Sequence, residues 1–415
     1  MYKLMSIILL LVVLFLIDLY AYQAILTVTK GLGLSSKSIV RIGYWLITAL
    51  VFSSILWYYY GNPYKYGSQL RNLVLVGIFM TYFSKVFGLL FIIMDDIQRG
   101  VRWVAGFFTK DSVGELPGKS ISRSEFLAKT AVIAAAVPFT AMIYGIVSGA
   151  HDYRIRRKTV YLPNLPKSFD GITIGQISDI HSGSFFNKTA VKGGVEMLLK
   201  EKPDVIFFTG DLVNNQTGEV KDYVEIFNKL KAPLGVYSIT GNHDYGDYKQ
   251  WSSANAKQSN FKDLVDAHKI MGYDILLNEH RYIEQGGEKI AIIGNENWGG
   301  GRFAKYGKLD KAYQGIEDAS VKLLLSHDPS HWDAQVRPLY PDIDMMFAGH
   351  THGFQFGVEI GDFKWSPSQY VYKQWAGLYQ EGNQYLYVNR GFGYIGYPGR
   401  VGIPPELTII ELKGS

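Results

Sequence analysis

Apolar residues are spread unevenly along the chain. Four long apolar stretches crowd the first 150 positions, and shorter runs alternating with polar residues fill the remainder. The long stretches are Met5–Val28, Ile42–Tyr60, Leu73–Met94 and Ala131–Val147. Each approaches the roughly 20 residues that a helix needs to cross a bilayer. The first is not read as a cleaved signal peptide, because it lacks a small-x-small cleavage site and three more stretches follow. Trp57-Tyr58-Tyr59-Tyr60 has the composition of an interfacial aromatic belt, and Asn62-Pro63 is a helix stop. Asp18 and Lys85 interrupt the first and third stretches at similar depth, in helices that run the same way. They could pair, which would offset the cost of burying either charge alone, or each could snorkel or face the bundle interior.

Beyond residue 150 the period changes. Strands are expected at Ile172–Ile177, Val205–Thr209, Val236–Thr240, Ile290–Gly294, Lys322–Ser326, Met345–Ala348, Tyr385–Asn389 and Leu407–Glu411. Helices are expected at Thr189–Lys200, Val220–Lys231, Phe261–Met271 and Lys308–Ile316. The pattern divides the chain into a membrane domain at 1–150, a juxtamembrane linker or first edge strand at 151–167, and an α/β domain at 168–415. In the α/β domain, two packed sheets flanked by helices account for the mixture.

Charge adds less. The net charge of +5 is small, and no Lys/Arg stripe interleaved with aromatics suggests nucleic-acid binding. With no cysteine, disulfides and thiolate metal sites are excluded. No feature sets an oligomeric state. An even number of spans puts both termini on one side. Lys30, Lys37, Arg41, Arg99, Arg102, Lys110, Lys119, Arg123 and Lys129 flank the spans on the other side. They outnumber Lys3, Lys65, Arg71, Arg154, Arg156, Arg157 and Lys158 by nine to seven, a bias toward an extracytoplasmic C-terminal domain. Ser122-Arg123-Ser124-Glu125-Phe126-Leu127-Ala128-Lys129 resembles a twin-arginine export signal with Ser124 in place of the second arginine.

The candidate chemistry lies where strands end. Asp179 and His181 follow the first strand, Gly210-Asp211 the second, and Gly241-Asn242-His243-Asp244 the third. Later strands deliver His327-Asp328 and Gly349-His350-Thr351-His352. Five of nine histidines fall in these blocks; His151, His268, His280 and His331 are read as ordinary surface residues. Carboxylate and imidazole converging at strand ends suit a divalent cation, and a glycine before the ligand lets backbone approach closely.

This ordered set resembles the calcineurin-like metallophosphoesterases, whose pattern is Asp-x-His, Gly-Asp, Gly-Asn-His-Asp/Glu, a lone His, and Gly-His-x-His. The four apolar stretches, Asn389-Arg390-Gly391-Phe392-Gly393 and the ending Pro405–Ile410 look similar to the family's membrane-anchored bacterial branch. The resemblance implies a four-layer α/β/β/α sandwich behind an α-helical four-span membrane domain, and a binuclear metal centre. Asp179, His181 and His352 would hold one ion, Asn242, His327 and His350 the other, and Asp211 would bridge them. Mn, Fe or Zn all suit such ligands. His243 would act as general acid or transition-state stabiliser, with Asp244 orienting it. Trp298, Arg302 and Arg390 are candidates for substrate contact, and the aromatic segment Gly361–Gly382 for an apolar rim against lipid or a small core. The expected activity is a metal-dependent phosphodiesterase or pyrophosphatase acting on a lipid-linked, glycolipid or cell-wall substrate. A lipid A precursor pyrophosphatase on the cytoplasmic face and a non-catalytic metal-binding membrane scaffold are the alternatives.

Overall fold

The structure, a computed structural model, describes residues 2–61, 68–107, 123–301 and 303–414. The expected Asn62-Pro63 stop, Ser122 and Arg302 lie outside them. The chain divides into two compact units, Met1–Ile143 and Tyr144–Ser415.

Four helices dominate the first unit: α1 (Tyr2–Val28), α2 (Leu34–Tyr60), α3 (Ser68–Gly106) and α4 (Arg123–Val147). All four contain stretches long and apolar enough to span a membrane, and the protein is integral to one. α3 runs for 39 residues, about 58 Å at 1.5 Å per residue. That exceeds the roughly 30 Å of hydrocarbon, so hydropathy marks only the immersed part of the helix and misses its polar end. At that end Tyr20 donates to Asp96 at 2.5 Å. Of the two readings the pair is the one observed: Lys85 donates to Asp18, which also accepts from the Tyr82 hydroxyl at 2.9 Å. The Tyr44 hydroxyl donates to the Asp18 carbonyl at 2.7 Å. Asp18 is wholly buried, so three helices share one satisfied polar cluster.

The second unit is a sandwich of two six-stranded sheets. Its strands are β1 (Arg154–Leu162), β2 (Thr173–Ile177), β3 (Val205–Phe208), β4 (Val236–Ser238), β5 (Asp274–Ile275), β6 (Glu279–Gln285), β7 (Glu288–Gly294), β8 (Lys322–Leu325), β9 (Met345–Ala348), β10 (Val358–Ile360), β11 (Phe363–Trp365), β12 (Gly377–Glu381), β13 (Gln384–Val388) and β14 (Glu406–Gly414). One sheet runs β1-β14-β2-β3-β4-β5 and the other β12-β13-β9-β8-β7-β6, with β10-β11 a separate hairpin. The stretch read as a juxtamembrane linker or first edge strand is mostly the latter: β1 lies at the sheet edge, paired in parallel with β14 from Arg154 to Leu162.

Alternation along single strands builds the layers. Val205 and Phe207 of β3 point between the sheets, where Phe207 meets Phe347 of β9 at 5.0 Å. Ile206 and Phe208 point outward to Val191, Val195 and Leu198 of helix α5 (Lys188–Lys200). The outer face of the second sheet packs on Trp332 and Val336. The result is the expected α/β/β/α order. The helix expected at Val220–Lys231 shrinks to α6 (Val224–Phe227), and that expected from Phe261 starts earlier, as α7 (Ala254–Ile270), because Ser253 caps it by accepting from Ala256 N–H.

Two histidines expected at the surface are buried. His268 Nδ1 meets Ser238 Oγ at 2.9 Å, and His331 lies between Ser326 Oγ and Gln335 Oε1. Burial pushes them down to about 3 and about 4, so both are neutral core residues.

Lys85→Met leaves the Asp18 carboxylate buried without its cation. It is expected to destabilise the full chain in detergent by about 3 kcal/mol or more. Asp18→Asn combined with Lys85→Met should recover most of that loss in thermal unfolding; an unrecovered double variant would show that the charges are not coupled.

Candidate metal centre

The parallel strands β2, β3 and β4 end at one edge of their sheet, and β8 and β9 end beside them in the other. Two cross-sheet bonds pin the ends together. Gln176 donates to the Ala348 carbonyl at 3.0 Å, and His327 Nδ1 lies 2.7 Å from the Thr209 carbonyl. Past each strand end the backbone turns sharply. Asp179, His181, Asp211, His350 and His352 all have φ between 49° and 72°. Residues with a Cβ avoid that left-handed region, and such outliers gather at functional sites. The preceding glycines are needed for approach. A Cβ on Gly241 would lie 2.2 Å from Asp211 Oδ1, and one on Gly349 would lie 2.1 Å from Asp179 Oδ2.

These turns bring together two groups whose ligand atoms lie within 4.8 Å of one another: Asp179, His181 and His352, and Asp211, His327 and His350. Asp211 lies between them, its Oδ2 3.1 Å from His327 Nε2 and 3.5 Å from His181 Nε2. Asn242 joins the second group through Oδ1, 2.9 Å from His350 Nδ1. All seven residues named from the sequence thus meet in one place.

The residues fit a pair of dications in three respects. First, the outward ring nitrogens are occupied, which aims the others inward. His181 Nδ1 meets Asn214 Oδ1 at 3.1 Å, His327 Nδ1 the Thr209 carbonyl, and His350 Nε2 the Tyr372 hydroxyl at 2.7 Å. Second, His181 and His352 face each other nitrogen to nitrogen at 3.0 Å, the separation of two ligands sharing one cation's shell. Third, the charges suit it. Burial would raise both carboxyls, but His352 and His327 hold Asp179 below its ordinary range, and His327 with His243 holds Asp211 well below. Burial keeps His181, His350 and His352 low and neutral. His327 is the exception: burial lowers it, but Asp211 and Asp179 raise it to about 10. Its proton must leave before Nε2 can bind a metal.

His352 carries one further constraint. Its Nδ1 lies 3.1 Å from Nη2 of Arg400, a guanidinium fully enclosed by the Gly391 and Gly393 carbonyls. A donor there favours the proton on Nε2. Ligation through Nε2 would move it to Nδ1 and leave Arg400 to the carbonyls.

His243 stands over the groups. Its backbone N–H donates to Asp211 Oδ1 at 2.9 Å and its Nδ1 meets the Asn214 carbonyl at 2.8 Å, which leaves Nε2 for a substrate. Asp244 does not orient that ring as expected. Its carboxylate accepts from the backbone N–H groups of Gly241, Asp211, Leu212 and Val213 and ties the two strand-end loops together. Burial, with Asp211 adjacent, pushes its carboxyl up to about 7.

The expected substrate contacts fare differently. Arg390 is not free for phosphate: Glu359 and Glu406 take its guanidinium, which is only 4% exposed. Trp298 packs at a tilt on His331, ring centroids 4.5 Å apart, and lies under Lys305. Its loop still borders the site, because Phe303 meets the His350 ring at 5.0 Å. Asn214, Tyr248, Tyr372 and Arg400 were missed. Tyr248 accepts from Asn242 Nδ2 at 2.8 Å and so fixes which end of that amide faces inward. Tyr372 lies in the aromatic segment already noted, whereas nothing local marks Asn214 or Arg400.

Comparisons with known proteins agree with this geometry. Residues 4–150 match the family model "Probable Calcineurin-like phosphoesterase, transmembrane domain" and residues 172–354 match "Calcineurin-like phosphoesterase". The metallophosphoesterase YkuE of Bacillus subtilis (strain 168) is 30% identical over 304 residues, covering 72% of this chain and 99% of that protein. The "transmembrane protein with metallophosphoesterase domain" of Danio rerio is 29% identical over 72% of this chain and 68% of its own length. Its Bos taurus counterpart is 26% identical over 78% and 69%. Relatives therefore occur in both bacteria and animals. With five strand-end motifs, the four-span domain and these matches in agreement, the chain belongs to the calcineurin-like metallophosphoesterases, hydrolases of phosphoester bonds, and to the members that carry a four-helix transmembrane domain.

Proposed function

We propose that this protein hydrolyses phosphodiester or pyrophosphate bonds of lipid-linked or envelope substrates at a centre of two divalent ions. The position of Asp211 carries the reading. Its Oδ2 faces both ligand groups, as a carboxylate shared by two cations must. Asp179, His181 and His352 would hold one ion and Asn242, His327 and His350 the other. Bound there, the ions would supply positive charge against phosphoryl oxygens and would acidify water.

The chain's own residues do the rest. Asp179 and Asp211 provide two negative charges, and the neutral imidazoles and the Asn242 amide add none. The site therefore keeps net positive charge for an anionic phosphate once two dications are bound. His243 holds Nδ1–H against the Asn214 carbonyl. As an imidazolium, with the Asp211 carboxylate nearby, it presents Nε2–H to the departing oxygen. A water oxygen forms the new bond to phosphorus and its proton passes to solvent as the old P–O bond breaks. The electron pair of that bond goes to the departing oxygen, which takes the Nε2 proton, and His243 is left neutral. Tyr248, whose ring lies 4.5 Å from that of His243, limits its rotation.

The excess of basic residues after α1 and α3 favours an extracytoplasmic catalytic domain. Membrane anchorage favours substrates held at that same surface. An activity reporter fused after Ser415 is expected to read outside the cytoplasm; a cytoplasmic reading would bring the lipid A precursor pyrophosphatase alternative forward.

Wild-type protein with Mn should cleave bis-p-nitrophenyl phosphate, and chelation should abolish the rate until metal is restored. His243→Ala should lower kcat roughly 10²- to 10⁴-fold for an alkyl leaving group. The loss should be smaller for p-nitrophenolate, which needs less help from an acid. Equal rates for wild type, His243→Ala and Asp211→Asn would overturn the proposal in favour of a scaffold.

A further inference from the structure

The hairpin β10–β11 is inside out. In the register Val358↔Trp365, Glu359↔Lys364, Ile360↔Phe363, the apolar pairs share one face and the charged pair the other. A hairpin in water would turn its charged face outward, but here the apolar face is bare. Ile360 is 73% exposed and Phe363 62%, and the following turn adds Tyr370 at 76% and Val371 at 64%. The charged face points into the protein, where Glu359 binds Arg156 and Arg390, and Lys364 donates to the Ala376 carbonyl at 2.6 Å. Scattered apolar side chains are ordinary on a surface, but a contiguous patch marks a contact.

The hairpin's neighbours indicate what it contacts. Residues Tyr144–His151 lead out of the fourth span, and the Gly145 carbonyl accepts from Arg400 N–H at 3.1 Å. Val401, next in sequence, exchanges backbone bonds with Gln355 at 2.8 Å and Gly357 at 2.9 Å, at the root of the hairpin. Arg156, which holds Glu359, lies in β1, nine residues beyond the end of α4. Within this unit the bare face is therefore continuous with the C-terminal end of the fourth apolar helix. Trp365 and Tyr370, in contact at 3.4 Å, are residue types favoured at headgroup depth. Both ends of the excursion reach the metal centre: it departs from His352 and returns at Tyr372, whose hydroxyl meets His350.

We propose that β10–β11 and the Pro367–Val371 turn dip into the lipid interface and seat the rim of the metal centre against the bilayer surface. One consequence, which rests on the phosphoesterase reading above, is that the substrate is an amphiphile whose phosphoester is presented from the lipid surface.

The chain has no cysteine, so Ile360→Cys provides a unique thiol for a polarity-sensitive fluorophore. The control is Ile270→Cys, exposed at the end of α7, which packs beside β5 at the sheet edge opposite β1. The full chain is reconstituted in phosphatidylcholine–phosphatidylglycerol vesicles, with a shallow lipid-borne spin quencher or with aqueous iodide. The residue-360 label should lose roughly half its emission to the lipid quencher, as for groups about 5–10 Å into the interface, and resist iodide; the control should behave oppositely. Quenching by iodide alone, or protection from both as by a second copy or another protein, overturns the proposal. In a second arm, Ile360→Ser with Phe363→Ser should lower kcat/KM for a vesicle-borne phosphodiester roughly tenfold or more, with bis-p-nitrophenyl phosphate hydrolysis unchanged. Lipid contact without that selective loss overturns the substrate consequence alone. Lipid contact in a protein inactive on every phosphoester overturns the phosphoesterase reading and leaves the hairpin's role standing.

Discussion

Two buried carboxylates, Asp179 and Asp211, share one pocket where the sheets meet, and the charge they bring must be balanced there. His327 is drawn into that balance, its Nε2 3.1 Å from one carboxylate and 4.0 Å from the other. Much nearby structure serves the same constraint. Left-handed turns at Asp179 and Asp211 present the oxygens, glycines clear the approaches, and Asp244 gathers four backbone N–H groups so that the loops cannot separate. Buried like charges at such proximity are costly unless a cation compensates them. The sandwich can be viewed as a frame that holds this repulsion still.

The same logic recurs on a smaller scale in the membrane unit. Asp18 is tolerated because Lys85, Tyr82 and Tyr44 converge on it from two other helices. In both units a costly group is placed where several elements satisfy it together, so each cluster also specifies how its own helices or strands pack.

Sequence reading recovered what repeats locally. Five strand-end motifs each combine an apolar run, a turn and a ligand-type residue, and their order resembles the metallophosphoesterase pattern; that resemblance implies the seven side chains. Strand cores were legible for the same reason, since Val205-Ile206-Phe207-Phe208 carries its own burial pattern. What was missed depends on partners distant in sequence. Arg390 resembled a phosphate ligand until Glu359 and Glu406 were seen to occupy it. His268 looked like a surface residue because the serine that it meets, Ser238, lies thirty residues away. His331 has its partners close by, at Ser326 and Gln335, but no apolar period around it marks its burial. The basic stretch at β1 leaves linker and first edge strand both open, because its apolar content is low and the pairing that decides for the strand comes from β14, at the other end of the domain. The aromatic segment after Gly361 proved to be two things: Trp375 and Tyr372 join a small core with Ile403, whereas Trp365 and Tyr370 stay outside.

The most direct test is anomalous diffraction from crystals of the chain soaked in Mn, recorded for wild type and for Asp211→Asn. The account predicts two peaks about 3.5–4 Å apart, one among Asp179, His181 and His352 and the other among Asn242, His327 and His350. It also predicts that one or both peaks weaken when the shared carboxylate becomes an amide. A single peak, two peaks away from Asp211, or a pair unaffected by its loss would contradict it.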